Sequence, residues 1–254
     1  IRPSGRPSAL PTAAASAGPS RRGRADRPGQ LSPDRLSVFN YAHLPERFKT
    51  QRQIDSTALP PAAEKLAILQ HTIARLTEAG YVYIGMDHFA KPEDELAQAQ
   101  QRGELGRNFQ GYTTQAHCDL VGLGLSAISQ LGAGYAQNTV KLETYYQRLD
   151  AGELPVQRGI LLNADDQLRR ALIMRLICDF TLDIDQFEAE HHVEFWHYFR
   201  TAYPRLQALA ADGLLTLSRR VLQVTTRGRL LIRTICMAFD GYIQPTQPGF
   251  SRLI

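Results

Sequence analysis

Residues 61–85 read PAAEKLAILQHTIARLTEAGYVYIG, and the reading of this stretch decides the fold class. Leu66, Leu69, Ile73 and Leu76 recur at helical spacing, Pro61 opens the run, and Gly80 stands where a C-terminal cap belongs. That pattern predicts an amphipathic helix over 61–79. YVYIG (81–85) then turns to β-branched and aromatic residues, as a strand does. Upstream, RLSVFNY (35–41), bounded by Ser32-Pro33-Asp34 and by Pro45, reads as another strand. Strand, helix, strand in that order is a βαβ unit, so an α/β architecture with a parallel sheet is expected.

Downstream, Pro92 and the acids after it open a short helix at 93–102. The stretch 106–138 holds six glycines and has no clean period. It reads either as a loop-rich connector or as a ligand-lining segment, and spacing does not choose between them. From 141 the chain turns mainly helical. KLETYYQRLDAG (141–152) forms one helix, and Asn163 caps a long one with Asp165 and Asp166 in its first turn. Further helices are predicted at 185–200 and 204–211, a small hairpin at 214–217 and 221–225, and a last helix at 227–242. Helices, a hairpin and a helix in that order suggest a winged-helix-like module.

The net charge of +4 is uneven. Residues 1–30 carry six arginines against Asp26, a surplus of +5, which leaves −1 for the other residues. The basic character belongs to the leader, so no overall charge argument for nucleic-acid binding survives. That Arg-, Pro-, Ala- and Ser-rich segment is too poor in large aliphatics to offset its ordering entropy, and disorder is expected there. Cys118, Cys178 and Cys236 form no CxxC or CxxxCxxC pair, which favours reduced thiols in a cytoplasmic protein. No apolar run reaches membrane-span length.

Several polar groups invite a chemical reading. Asp87 and His88 in GMDHFA (85–90) are placed just past a strand end, where an acid/base pair or ordinary loop hydrogen bonding would both fit. Small Ala42 in FNYAHLP sits at the same end of the first strand and would let a flat ligand approach the backbone. His191, His192 and His197 do not share a helix face, which argues against a metal site. Arg219, Arg220, Arg227, Arg229 and Arg233 cluster near the hairpin, but Asp183, Asp185, Glu188, Glu190 and Glu194 precede them and would repel phosphate. No nucleic-acid or membrane partner is expected.

LSPDRLSVFNYAHLP (31–45), QRQI (51–54), AGYVYIGMDHFAKPEDELA (79–97), RNFQGYTTQ (107–115) and DLVGLGLSAIS (119–129) follow one another in this order. With GRLLIRTICMAFDGYI (228–243) and FSRLI (250–254) they resemble the oxygen-independent coproporphyrinogen III oxidases, radical S-adenosylmethionine enzymes, over residues 31–254. The resemblance implies the C-terminal part of an incomplete parallel (β/α) barrel at 31–140. A mostly helical, winged-helix-like domain is expected to follow at 141–254, and residues 1–30 are expected to be a disordered leader, foreign or out of frame. It also implies oxidative decarboxylation of coproporphyrinogen III to protoporphyrinogen IX by a 5′-deoxyadenosyl radical. That reaction uses a 4Fe–4S cluster and two S-adenosylmethionine molecules, and a monomer is implied. Electron donor and acceptor stay unnamed.

Carried over by position, Ala42 and Ile128 match S-adenosylmethionine contacts, and Phe109 and Gln110 match residues that approach the second S-adenosylmethionine. The resemblance assigns Asp87 and His88 no role. The cluster motif CxxxCxxC is missing from the chain. The chain alone is therefore expected to be inactive. The other reading is a non-catalytic remnant of the same family that binds haem, a porphyrin or a partner protein.

Overall fold

The computed structural model describes residues 31–243. The expected disorder of residues 1–30 and the FSRLI run at 250–254 lie outside them. Strand β1 (Arg35–Ser37) is followed by helix α1 (Ala62–Glu78) and by a hairpin of β2 (Val82–Gly85) and β3 (His88–Ala90). The helix ends as Gly80 predicts. The Tyr81 N–H donates to the Leu76 carbonyl at 3.0 Å and the Gly80 N–H to that of Thr77 at 3.0 Å, with Gly80 at φ 88°. This is the Schellman arrangement, in which residues flanking the turn also meet through their apolar side chains. Leu76, Tyr81 and Phe89 accordingly form a small core of their own.

The expected parallel pairing is not formed. β1 and β2 each pair antiparallel with β3, in the order β1-β3-β2. The two strands of the anticipated βαβ unit do run the same way, but β3 lies between them. Part of the reason lies in the turn between β2 and β3. Met86 adopts φ 53°, so the chain reverses across Met86–Asp87 and places His88 opposite Gly85. A two-residue turn of this kind closes a hairpin at far lower entropic cost than a long crossover. Every strand pairing among the described residues is antiparallel.

Helix α2 (Glu95–Arg102) starts at Asp94, whose carboxylate caps the Leu96 N–H at 2.8 Å and receives Arg35 from β1 at 2.7 Å. The glycine-rich stretch then forms two hairpins. One joins β4 (Gly106–Asn108) to β5 (Gly111–Thr113), the other joins β6 (Ile128–Leu131) to β7 (Gly134–Asn138). Helix α3 (Leu142–Asp150) leads to β8 (Val156–Leu161), which completes a sheet of order β6-β7-β8.

Helix α4 (Ala164–Asp179) carries the expected cap as a full capping box: the Asn163 side chain accepts from the Asp166 N–H at 2.9 Å, and the Asp166 carboxylate accepts from the Asn163 N–H at 3.1 Å. After it come β9 (Thr181–Asp183), α5 (Ile184–His191), α6 (Phe195–Tyr198), α7 (Tyr203–Ala211), β10 (Leu215–Leu217), β11 (Val221–Val224), α8 (Thr226–Arg229) and α9 (Ile232–Cys236). β9 joins the predicted hairpin to make the order β10-β11-β9.

The predicted helix 185–200 is broken at His192, which takes φ 54°. The Glu188 carboxylate accepts the Phe195 N–H at 2.6 Å and so caps the new helix start. The predicted helix 227–242 is two short pieces. Gly228 has no room for a side chain, because a Cβ there would overlap the Leu214 carbonyl.

The main core gathers residues from both sides of position 140. Ile84, Leu96 and Tyr112 pack in one cluster with Leu172, Leu176, Phe187, Phe195, Leu206, Leu222 and Phe239. Helix α4 is its centre, with Leu172 and Leu176 fully buried.

One polar group sits badly in this frame. Asp179 is the last residue of α4, at the negative end of the helix dipole, and its buried Oδ1 has no hydrogen-bond partner. Burial pushes its carboxyl pKa up, and Arg175 offsets only part of that. The folded protein therefore holds the proton more tightly than the unfolded chain does. Stability falls as pH rises from below the ordinary carboxylate range through the raised value. Asp179→Asn is expected to stabilise the protein by about 1 kcal/mol at neutral pH. In urea titrations that gain should shrink as the pH is taken down to about 3; a variant less stable than the parent at pH 7 would contradict it.

Candidate functional site

The β2–β3 turn places the two polar residues of GMDHFA side by side. The Asp87 Oδ1 lies 2.8 Å from His88 Nδ1, and both side chains are mostly covered. The pair stands in a hairpin turn of an antiparallel sheet. The pair does lie just past the end of β2, as expected, but the strand belongs to an antiparallel and not a parallel sheet. The Asp87 carbonyl accepts the Val38 N–H at 2.7 Å, which ties this turn to the chain leaving β1.

The His88 ring is held between two others. Phe39 meets it nearly perpendicular at 6.2 Å between centroids, and Tyr112 does the same at 5.3 Å. Tyr112 is buried, and its hydroxyl donates to the Ile177 carbonyl at 3.1 Å near the end of α4. Its burial raises the phenol pKa well above the ordinary range. Burial and the neighbouring Asp87 charge likewise push Tyr83 up to about 12. Neither phenol is suited to give up a proton near neutral pH. Gly111 lies against the far side of the imidazole, where a Cβ would sit 3.0 Å from Nε2.

The β4–β5 hairpin projects Phe109 and Gln110 at its tip. The Asn108 side chain shapes the turn by accepting the Gln110 N–H at 2.8 Å. Phe109 is 56% exposed, and its ring neighbour among the described residues is Tyr135, edge-on at 5.3 Å. Tyr135 pairs with Gln130 and Ile128 with Gln137, so side-chain alternation puts Ile128, Gln130, Tyr135 and Gln137 on the same face of the β6–β7 ladder. Phe109 thus packs onto the face that carries Ile128. Arg170 stands over the Tyr135 ring at 5.9 Å, and Arg158 donates to the Gln137 side chain at 2.8 Å. This face carries the Tyr135 ring, the Ile128 side chain and the amides of Gln130 and Gln137, with two guanidinium groups beside them.

The glycine-rich loop before β6 lies close against that strand. A Cβ on Gly122 would fall 2.7 Å from the Ile128 carbonyl oxygen. Buried Asn138 holds the loop, donating through its side chain to the carbonyls of Gly122 at 3.2 Å and Gly124 at 2.9 Å. Ala42 is set on a different loop. It is exposed, and its carbonyl accepts from the Gln51 side chain at 3.0 Å. The structure therefore joins Phe109 to the Ile128 face, while the Ala42 loop reaches the hairpin through Phe39 and the ring of His88.

Tyr135 and Asn138 were not singled out from the sequence. The period-two run Gly134-Tyr135-Ala136-Gln137 was the available signal, and it was hidden by the surrounding glycines.

Ligands of an iron–sulfur cluster must be thiolates. Burial pushes the thiols of Cys178 and Cys236 up to about 12, and Cys118 is exposed with its sulfur 3.6 Å from the Gln115 side chain. No group of three His, Cys, Asp or Glu side chains among the described residues is placed to hold a metal, so these cysteines do not fit a cluster. His191 packs against Phe187 at 4.3 Å between ring centroids. Among the described residues no helix is long and apolar enough to cross a membrane.

Comparison with known proteins places these features. The model of the HemN C-terminal domain matches residues 162–231. An oxygen-independent coproporphyrinogen III oxidase of Pseudomonas aeruginosa is 54% identical over 225 residues, covering 88% of this chain and 49% of that protein. The one from Escherichia coli strain K12 is 52% identical over 230 residues, covering 90% of this chain and 50% of that protein. The solved structure of coproporphyrinogen III oxidase (HemN) from Escherichia coli, a radical SAM enzyme, superposes with a TM-score of 0.82 at 53% identity. That match covers 86% of this chain and 50% of the solved one. The chain belongs to the family of the oxygen-independent coproporphyrinogen III oxidases, and it spans about half the length of the curated relatives it matches.

Proposed function

We propose that this chain provides one wall of an S-adenosylmethionine pocket for the oxygen-independent oxidative decarboxylation of coproporphyrinogen III to protoporphyrinogen IX. In this reading Phe109 and Gln110 at the hairpin tip, Ile128 on the sheet face and Ala42 on the first loop make the contacts. The observation that carries it is the exposed Phe109 ring set edge-on to Tyr135, on the face that presents Ile128. An exposed aromatic ring beside an open ladder offers a flat surface for a purine, and guanidinium groups such as Arg170 and Arg158 at the rim suit a carboxylate.

A 4Fe–4S cluster with bound S-adenosylmethionine would supply the radical that starts the reaction, and residues outside this chain would have to hold it. Among the described residues no three His, Cys, Asp or Glu side chains are grouped to hold it. What this chain's own residues do is bind, orient and exclude water. Close backbone packing at Gly122 and Ile128 keeps the wall rigid, which a reactive carbon radical requires of its surroundings. The full reaction, a monomeric state and a cytoplasmic setting are part of the same proposal.

The test is calorimetric titration of S-adenosylmethionine into the 254-residue chain. Measurable binding is expected, with Phe109→Ala weakening it about tenfold, the size expected for loss of one aromatic stacking surface. No heat of binding at millimolar ligand, or equal affinity in the variant, would sink the assignment.

A further inference from the structure

The Asp87–His88 pair lies where the two ligand-bearing segments meet, and no role has been assigned to it. Phe39, three residues before Ala42, abuts one side of the imidazole at 6.2 Å between ring centroids. Tyr112, two residues after Gln110, abuts another at 5.3 Å. Asp87 fixes the ring through Nδ1 at 2.8 Å, and its own carbonyl takes the Val38 N–H at 2.7 Å. Gly111, at φ 138°, closes the side towards Nε2. The ring is thus restrained by four neighbours from three segments of chain.

We propose that Asp87 and His88 are positioning residues: the imidazole is the wedge that sets the Ala42 loop against the Phe109–Gln110 hairpin tip, and Asp87 locks it in place. A proton carrier would need its free nitrogen aimed at a reacting atom. Here a Cβ on Gly111 would already be a tight contact at 3.0 Å from Nε2, so the backbone of the β4–β5 hairpin stands close beside that nitrogen. A restrained ring in contact with two loops fits a spacer far better. A carboxylate bonded to Nδ1 is the usual means of holding an imidazole in one orientation. This inference takes the identity of the two ligand-bearing segments from the proposed function; the mechanical link between them rests on the geometry alone.

Hydrogen–deuterium exchange of the 254-residue chain reads that link directly. His88→Ala and Asp87→Ala should each speed exchange at least about fivefold in peptides covering 38–44 and 107–113, because local opening is governed by the contacts that close a segment. Peptides from α1 and α7 should exchange as in the parent. Asp87→Asn keeps an acceptor for Nδ1–H and should restore most of the protection, which a charge-based role would not allow. Loosening of only one of the two segments, or none, overturns the proposal, as does a failure of Asp87→Asn to rescue. Should His88→Ala not fold, the Asp87→Ala and Asp87→Asn pair decides by the same criteria.

S-adenosylmethionine titration supplies the functional arm, with Asp87→Ala weakening binding several-fold and Asp87→Asn near the parent value. A parent chain that binds no S-adenosylmethionine while both segments loosen together would overturn the pocket and leave the wedge standing. Binding that is present but indifferent to both Asp87 variants would overturn the wedge and leave the pocket standing.

Discussion

Phe195→Ala is expected to cost about 3–5 kcal/mol of folding stability, the range for deleting a fully buried aromatic side chain. Phe195 is 0% exposed and lies at the hub of an aromatic group. Ring centroids of Trp196 and Phe199 are 5.0 Å away, Phe187 5.9 Å and Phe239 6.3 Å. These partners come from α5, α6 and the segment after α9, so no single element can move in to fill the void. The cost should appear in a urea titration as a lower midpoint with an unchanged slope. A loss under about 1 kcal/mol would mean that the cavity collapses, and that the hub is less closely packed than the distances imply. Phe109→Ala is the control. That ring is 56% exposed, so its removal should leave stability nearly unchanged while weakening ligand binding.

Gly85→Ala is expected to cost about 3 kcal/mol, from two sources that add at one atom. Gly85 has φ 150°, a conformation that residues with a Cβ rarely adopt. The added methyl would also fall 2.5 Å from the Tyr112 hydroxyl oxygen and 2.8 Å from the Phe180 ring. The Tyr112 hydroxyl is engaged with the Ile177 carbonyl and cannot retreat without leaving a buried acceptor unpaired. The same shift would push Tyr112 against His88. The variant should therefore lose stability and also disturb the Asp87–His88 turn, seen as altered imidazole resonances of His88 in NMR spectra. A stable variant with the parent His88 signals would show that the hairpin relaxes freely. The wedge proposed above would then lack the rigidity it needs.

The parts of this fold that could be read from the chain are those with local causes. Helix α1 follows from an apolar stripe and from Gly80, whose N–H bonds to Thr77 and whose turn lets the Tyr81 N–H reach Leu76. Helix α4 follows from Asn163, whose side chain and the Asp166 carboxylate satisfy each other's backbone donors. In both, every interaction that sets the boundary lies within a few residues.

The direction of strand pairing was not legible for the opposite reason. YVYIG and HFA each look like a strand, but whether β1 joins β2 or β3 depends on the turn at Met86–Asp87 and on contacts some fifty residues apart in sequence, such as Leu36 with Phe89. The broken helix 185–200 shares that cause: His192 yields to a capping carboxylate that no helical periodicity records.

The candidate site divides along the same line. The motif runs FNYAHLP, GMDHFA and RNFQGY are visible as residues; the first two drew attention to Ala42, Asp87 and His88, and the family resemblance is what marked Phe109, Gln110 and Ile128. Only the tertiary structure decided that His88 stands between Phe39 and Tyr112, and that Phe109 meets Tyr135 on the face of Ile128. Spacing along a chain specifies helices, caps and turns because their hydrogen bonds close over a few residues. The meeting of three separate loops around one imidazole depends on how far the core around α4 draws them together, and that is a property of packing.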